Sequence, residues 1–369
     1  MSRPKIDAYL HTQLQKRKDA NAFRVLPVSS NGIDFCSNDY LGMSRRQFSL
    51  PDQFQYGATG SRLISGDHAA YRELEAFLTQ FHHSEAALVY NSGYQANLGL
   101  ISCLATRHDT IIYDQLVHAS IRDALRLSEA RTLSFRHNNV KHLQEKLERA
   151  EGRKFVVVES IYSMDGDEAS LSELVDCCEA FDAALIVDEA HAVGVIGPQG
   201  RGSVVEAGLE HKIWARVITF GKAIGSHGAA VLGSQLLREY LINFSRPFIY
   251  TTGLPPDTVY RILQAYKFLA SSNLVEELQH KIAFFKKGVI DLSQIEWIPS
   301  RSAIQSLLVP GNTAVKMAAQ ELQQAGFRIL PILSPTVPKG SERLRICLHT
   351  FNTENEIGRL ISHLFSSNY

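Results

Sequence analysis

Short apolar runs alternate with amphipathic stretches through most of this chain. Ala86 to Tyr90, Ile111 to Tyr113, Phe155 to Glu159, Ala184 to Asp188, Val217 to Thr219 and Ala229 to Leu232 read as strands, each run being too short for a buried helix. Between them, apolar residues recur three and four positions apart. Tyr71, Leu74, Phe77, Leu78 and Phe81 mark one helix, and others follow over Leu98 to Leu104, Val140 to Arg149, Leu171 to Ala180 and Ser234 to Asn243. The stretch Arg246 to Pro256 reads as a loop, and a long helix beyond it carries Tyr260, Ile262, Leu263, Tyr266 and Leu269. Apolar strands separated by helices predict an α/β fold with a mostly parallel sheet covered on both faces.

The pattern changes towards both ends. Ala303 to Val309, Phe327 to Leu330 and Leu344 to Leu348 read as separated strands, with helices over Ala314 to Ala325 and Glu354 to Leu364. That arrangement predicts a smaller α+β domain. At the start, Ile6, Tyr9, Leu10 and Leu14 stand at helical spacing and predict a docking helix. A turn at Asn31-Gly32 and a short strand over Ile33 to Cys36 come next. The expected division is an N-terminal segment over 1–43, a large domain over 44–255 and a small domain over 256–369.

Composition narrows the function classes. Lys+Arg and Asp+Glu both number 38, so the net charge of zero provides no field for nucleic acid. The five cysteines are unevenly scattered and form no Cys-x-x-Cys, which argues against a disulfide framework or a zinc site and for a reducing compartment. No apolar run approaches a membrane span. Arg3, Lys5 and Lys16 to Lys18 make the N-terminus basic, but Asp7 and Asp19 interrupt a transit-peptide pattern, so the cytoplasm is the expected address.

Candidate chemistry sits where the apolar runs end. Val187 is followed by Asp188-Glu-Ala-His191, and Ile218 by Thr219-Phe-Gly-Lys222. In open parallel sheets, ligands gather at the carboxyl ends of strands. Asp-Glu-Ala-His is also the metal box of one helicase class, but that reading needs a Gly-x-x-x-x-Gly-Lys-Ser/Thr loop and the chain has none. Alone, Lys222 reads equally well as a solvated loop lysine. Asn91-Ser92-Gly93-Tyr94 opens a helix whose free amides suit a phosphate, although Tyr94 reads equally as a core aromatic. Gly57 to Gly66 is a second glycine-rich loop, equally consistent with a tight structural turn. His118 and Ser163 each lie just past a strand end.

Together these residues resemble the α-oxoamine synthases, a family of fold-type I pyridoxal phosphate (PLP) enzymes. The resemblance spans nearly the whole chain, from Phe35-Cys-Ser-Asn-Asp-Tyr-Leu-Gly42 through Ser163-Met-Asp-Gly-Asp167 and Thr219-Phe-Gly-Lys222 to Pro335-Thr-Val-Pro338 and Arg343-Leu-Arg345. One departure is a shortened segment between Gly42 and Gly57, which bears on the substrate entrance. The resemblance implies a fold-type I PLP-dependent transferase, an acyltransferase that joins an amino acid to an acyl thioester. Gly228 to Leu232 and Pro335 to Pro338 point within the family to L-alanine and a pimeloyl thioester, carried by coenzyme A or a carrier protein. A sister activity on glycine and an acetyl thioester is the alternative, and a catalytically dead scaffold of the same fold would not need Lys222, Asp188 and His118 together.

The resemblance also implies roles. Lys222 would hold PLP covalently and act on the Cα proton. Asp188 would pair with the pyridine nitrogen, His191 and Ser163 would bond the ring's phenolic oxygen, and His118 would stack on the ring and assist as a proton donor. The Gly93 and Tyr94 amides and the Thr219 hydroxyl would hold the phosphate. Thr251 or Thr252 would reach the phosphate of a second subunit in a homodimer with shared active sites. Arg345 would pair with the amino acid carboxylate, and Arg24 and Thr336 would meet the acyl substrate or product. No metal enters this scheme.

Overall fold

The computed structural model describes residues 5–26, 32–51, 53–290 and 296–366, so the expected turn residue Asn31 and the basic residue Arg3 lie outside the described residues. In chain order the strands are Ile33–Asp34 (β1), Ala86–Tyr90 (β2), Thr110–Asp114 (β3), Arg131–Phe135 (β4), Lys154–Glu159 (β5), Ala183–Asp188 (β6), Ala215–Thr219 (β7), Ala229–Gly233 (β8), Trp297–Ile298 (β9), Ile304–Leu308 (β10), Phe327–Arg328 (β11), Leu330–Ile332 (β12) and Arg343–Cys347 (β13).

The chain divides into two compact units. One gathers Asn38–Ser163 and Asp167–Gln279, and the other Met1–Ser37, Met164–Gly166 and His280–Tyr369. The long helix Pro256–Ser271 thus belongs to the first unit. That unit is built on a seven-stranded sheet in the order β2-β8-β7-β6-β5-β3-β4. β8 runs antiparallel to both its neighbours, while β7, β6, β5, β3 and β4 pair in parallel.

Alternation along the strands explains why both faces are covered. Ile111, Val157, Ile186, Val217 and Val231 pack with Leu100, Ile121 and Leu241 from helices on one side. Their sequence neighbours Ile112, Val156, Val158, Leu185 and Val187 pack with Leu143, Leu174 and Val175 on the other. Burying such an aliphatic side chain contributes roughly 1.5–3 kcal/mol. The two-sided core is therefore what holds the carboxyl edge of the sheet in place.

The other unit carries a four-stranded antiparallel sheet, β12-β13-β10-β9, and a two-stranded parallel pair, β1-β11. The single strand expected over Phe327 to Leu330 is in fact two, because β11 pairs with β1 while β12 pairs with β13. The N-terminal helix forms over Lys5–Asp19, but among the described residues its apolar positions stay largely exposed. Ile6 and Tyr9 are 66% and 62% exposed, and no residue of the helix is buried. The expected loop after Arg246 begins with a short helix, Arg246–Ile249, which Pro247 favours at its first turn. Among the described residues, no helix is long and apolar enough to cross a membrane.

Candidate active site

Parallel pairing brings the carboxyl ends of β3, β5, β6 and β7 to one edge, and the residues just past those ends form the site. Glu159 and Asp188 end adjacent strands in direct register. Asp188 is buried and accepts Asn97 Nδ2 at 2.7 Å and the Ala190 amide at 2.9 Å. Beyond β7 the chain turns back into β8 through a hairpin pinned by Phe220 N to Gly228 O (2.9 Å) and Gly225 N to Lys222 O (2.8 Å). Gly225 is needed there. It has φ +63°, and a Cβ on it would stand 2.2 Å from the Ser44 amide nitrogen.

This hairpin sets Lys222 Nζ 2.7 Å from His191 Nε2, and His191 Nδ1 lies 2.8 Å from the Tyr40 hydroxyl. Tyr40 in turn donates to Asn38 Oδ1 at 3.2 Å. Lys222, His191, Tyr40 and Asn38 thus form one continuous hydrogen-bonded chain.

His118 caps the helix Ala119–Leu127, its Nδ1 accepting the Ser120 amide at 3.2 Å. Ser120 Oγ accepts Asn97 Nδ2 at 3.0 Å, so one amide ties the His118 turn to Asp188. The His118 amide donates to Glu159 Oε1 at 2.5 Å. Burial, with the Asp188 charge alongside, pushes the Glu159 carboxyl up, an effect Lys222 partly offsets. Burial lowers the His118 imidazole, with Asp188 acting against this and Lys222 adding to it. Ser163 lies half-buried past β5, in a segment closed by Tyr162 N to Asp167 O at 3.0 Å.

The helix Gly93–Leu104 starts with Ser92 as its cap, Ser92 Oγ accepting the Gln95 amide at 3.2 Å. Gly93 stands beside Thr219, since a Cβ on it would meet Thr219 Oγ1 at 3.6 Å. Thr219 Oγ1 also lies 3.4 Å from the Gly221 amide. Tyr94 is exposed, with its hydroxyl on Asp123 rather than in a core. Asn91 Nδ2 donates to Thr252 O at 2.5 Å and reaches Thr251 Oγ1 at 3.4 Å, which places both threonines against the start of this turn in the same chain. The loop Gly57 to Gly66 is closed by Gly66 N to Ser61 O at 2.8 Å and tied to neighbouring segments. Arg62 pairs with Glu75 at 2.6 Å and Gly253 N donates to Gly60 O at 2.9 Å, the arrangement of a structural turn.

The remaining candidates lie in the other unit. Arg345 is buried on β13, its Nη1 3.0 Å from Cys347 Sγ. Arg24 Nη2 donates to Thr336 Oγ1 at 3.1 Å, bringing together two residues far apart in sequence. Glu159, Asn97, Ser120 and Tyr40 join the site without having been candidates from sequence. Of these, only Tyr40 carries a sequence signal, as part of the Asn-Asp-Tyr-Leu-Gly run.

The donor set fits PLP. The edge offers an amine (Lys222), a buried carboxylate (Asp188), imidazoles (His118 and His191) and a capped helix N-terminus beside a threonine hydroxyl. An aldehyde, a pyridine nitrogen, an aromatic face and a phosphate call for these groups in turn.

Comparison with known proteins agrees. Residues 30–364 match the family described as aminotransferase class I and II. A protein of Marinobacter nauticus named 8-amino-7-oxononanoate synthase is 38% identical over 382 residues, covering 96% of this chain and 95% of that one. The serine palmitoyltransferase of S. paucimobilis, solved with a bound PLP-myriocin aldimine, superposes with a TM-score of 0.88 at 29% identity, over 99% of this chain and 98% of the other. The 8-amino-7-oxononanoate synthase of Francisella tularensis gives a TM-score of 0.76 at 29% identity, over 91% and 98%.

Proposed function

The chain belongs to the aminotransferase class I and II family as a PLP-dependent enzyme of fold type I, and on that premise we propose that it condenses L-alanine with a pimeloyl thioester. The products are 8-amino-7-oxononanoate, CO2 and the free thiol. The reaction is an acyl transfer, worked by a homodimer with shared sites. The observation that carries the chemistry is the lysine amine of the β7–β8 hairpin, 2.7 Å from His191, beside the buried carboxylate that ends β6.

PLP bound at this site supplies an electron sink for the pair left when the amino acid's Cα–H bond breaks. The chain's residues do the rest. Lys222 would hold the cofactor, take the proton from Cα and later return one there. Asp188, anchored by Asn97 and the Ala190 amide, keeps a carboxylate at the pyridine nitrogen, where a fixed negative charge keeps the nitrogen protonated. His118 would pack on the ring and assist as a proton donor, while Ser163 and His191 would hold the ring's phenolic oxygen. Gly93, Tyr94 and Thr219 take the phosphate, with Thr251 or Thr252 reaching the partner's. Arg345 pairs with the amino acid carboxylate, and Arg24 and Thr336 meet the acyl group.

Serine palmitoyltransferases superpose with the higher TM-score, 0.88 against 0.76. Identity is the same, 29%, with both solved enzymes, whereas the Marinobacter nauticus synthase reaches 38% over 96% of this chain. Backbone shape is common to a fold, whereas specificity lies in side chains, so identity is the better guide. Turnover of L-alanine should be measured with pimeloyl-CoA, pimeloyl carrier protein, palmitoyl-CoA and acetyl-CoA, with products identified by mass; serine and glycine are run beside it. Formation of 8-amino-7-oxononanoate as the preferred product supports the reading. Preference for serine with palmitoyl-CoA, or glycine with acetyl-CoA, overturns it.

A further inference from the structure

One charged cluster lies beside the site and takes no part in the reaction proposed above. β4 is the edge strand of the large sheet, and the chain leaves its carboxyl end through Arg136-His137-Asn138. His137 Nδ1 stands 3.0 Å from Asp114 Oδ1, and its Nε2 stands 2.6 Å from Asp167 Oδ2. Asp114 is wholly buried, and the His137 and Asp167 side chains are only 20% and 19% exposed. The ring also meets Tyr162 edge-on, with centroids 4.4 Å apart. An imidazole facing a carboxylate at each nitrogen donates from both. Burial alone would lower this group, but the bonds to Asp114 and Asp167 outweigh it and hold the imidazolium up to about 9.

Each aspartate fixes a segment that ends at the site, Asp114 through its carboxylate and Asp167 through its backbone oxygen. Asp114 Oδ1 accepts the Leu116 amide at 2.8 Å, shaping the turn that delivers His118, and Asp114 Oδ2 accepts the Asn138 amide at 2.9 Å. Asp167 accepts Tyr162 N through its backbone oxygen at 3.0 Å, closing the segment that contains Ser163. Asn138 Nδ2 adds bonds to Asp167 Oδ2 at 2.8 Å and Glu168 O at 2.9 Å. The loop after β4 therefore touches the loops after both β3 and β5. We propose that His137 is a positioning residue: bonded at both ring nitrogens, it ties the His118 turn to the Ser163 segment and so sets the spacing of these two side chains around the cofactor. This inference rests on the proposed placement of His118 and Ser163 at the cofactor.

The test compares wild-type holoenzyme with His137→Gln, Asp167→Ala, His118→Ala and Ser163→Ala. For each, thermal stability, PLP content, visible circular dichroism of the bound cofactor, and kcat and KM for L-alanine are measured. Visible dichroism reports the asymmetry around the cofactor, which a purely structural role would leave alone. In His137→Gln and Asp167→Ala we expect full PLP content, a visible band reduced at least about twofold, kcat lowered about tenfold or more, and KM changed less than about threefold. Should His137→Gln fail to fold, Asp167→Ala carries the test, because it removes one arm and leaves the Asp114 pair. A wild-type band and kcat in the folded variants, whatever their stability, overturns the proposal. If instead His118→Ala and Ser163→Ala leave the band unchanged, the placement of those residues has failed, and the inference falls with it.

Discussion

Replacing Asp188 by asparagine removes a charge while keeping shape. The carboxylate is 6% exposed and uses one oxygen for Asn97 Nδ2 at 2.7 Å and the other for the Ala190 amide at 2.9 Å. An asparagine offers a single acceptor oxygen, so one of these donors would face an NH2 group. Leaving a buried donor unsatisfied costs about 1–3 kcal/mol. Against this, the Asp188 charge is part of what holds the Glu159 carboxyl up, and removing it relieves that penalty, so the net loss of stability falls at the low end of that range. Catalysis suffers more. Removing one preorganised electrostatic partner costs about 10²–10³-fold in kcat, or roughly 2.7–4 kcal/mol. The assay is kcat with saturating L-alanine and pimeloyl thioester, beside urea unfolding of the same preparation. We expect a loss of at least about 100-fold in kcat with a stability change of about 1 kcal/mol. Turnover within about threefold of wild type would refute a role for this carboxylate in the reaction.

Three further outcomes are expected. Glu159 is held above the ordinary glutamate value of 4.5 in the folded state, so the folded protein keeps a proton that the unfolded chain releases. The stability this contributes is complete below about pH 4.5 and is gone once the pH passes the folded value. Glu159→Gln should therefore flatten the decline of urea stability with rising pH, and an unchanged slope would remove Glu159 as its source. A methyl-sized difference in a pocket is worth about 1–3 kcal/mol, so kcat/KM for glycine should fall about 10–200-fold below that for alanine; parity would point to a pocket not shaped for alanine. Lys222→Ala mixed and refolded with a Thr251/Thr252 double variant should regain part of the activity, whereas full activity in a protein sedimenting as a monomer would exclude shared sites.

Much of this site can be read from the sequence because a parallel sheet exposes its chemistry at strand ends. Asp188 and Lys222 lie at or just past the ends of apolar runs, and burial on both faces makes those runs easy to see. β4 escapes the apolar pattern, because it is an edge strand whose Arg131, Thr132 and Ser134 are exposed. The helix Leu274–Val289 is a different case: Leu274, Leu278, Ile282 and Phe285 repeat at helical spacing and are buried, so its signal is present but not among the elements expected above. Glu159 looks in sequence like any carboxylate closing a strand, and Asn97 like any amide on an otherwise apolar helix. Their meaning depends on strand order, since only the pairing of β5 with β6 puts Glu159 opposite Asp188. The exposed apolar face of the Lys5–Asp19 helix shows the converse limit: periodicity predicts a helix but not what the helix packs against.

The central claim is that Lys222 carries the cofactor. Borohydride reduction of the purified holoenzyme, followed by tryptic digestion and mass mapping, tests it directly. The reduced pyridoxyl phosphate group should be found on the peptide containing Lys222, and Lys222→Ala should bind PLP without being labelled there and without turnover. Label on any other lysine, or turnover retained in Lys222→Ala, would contradict that claim.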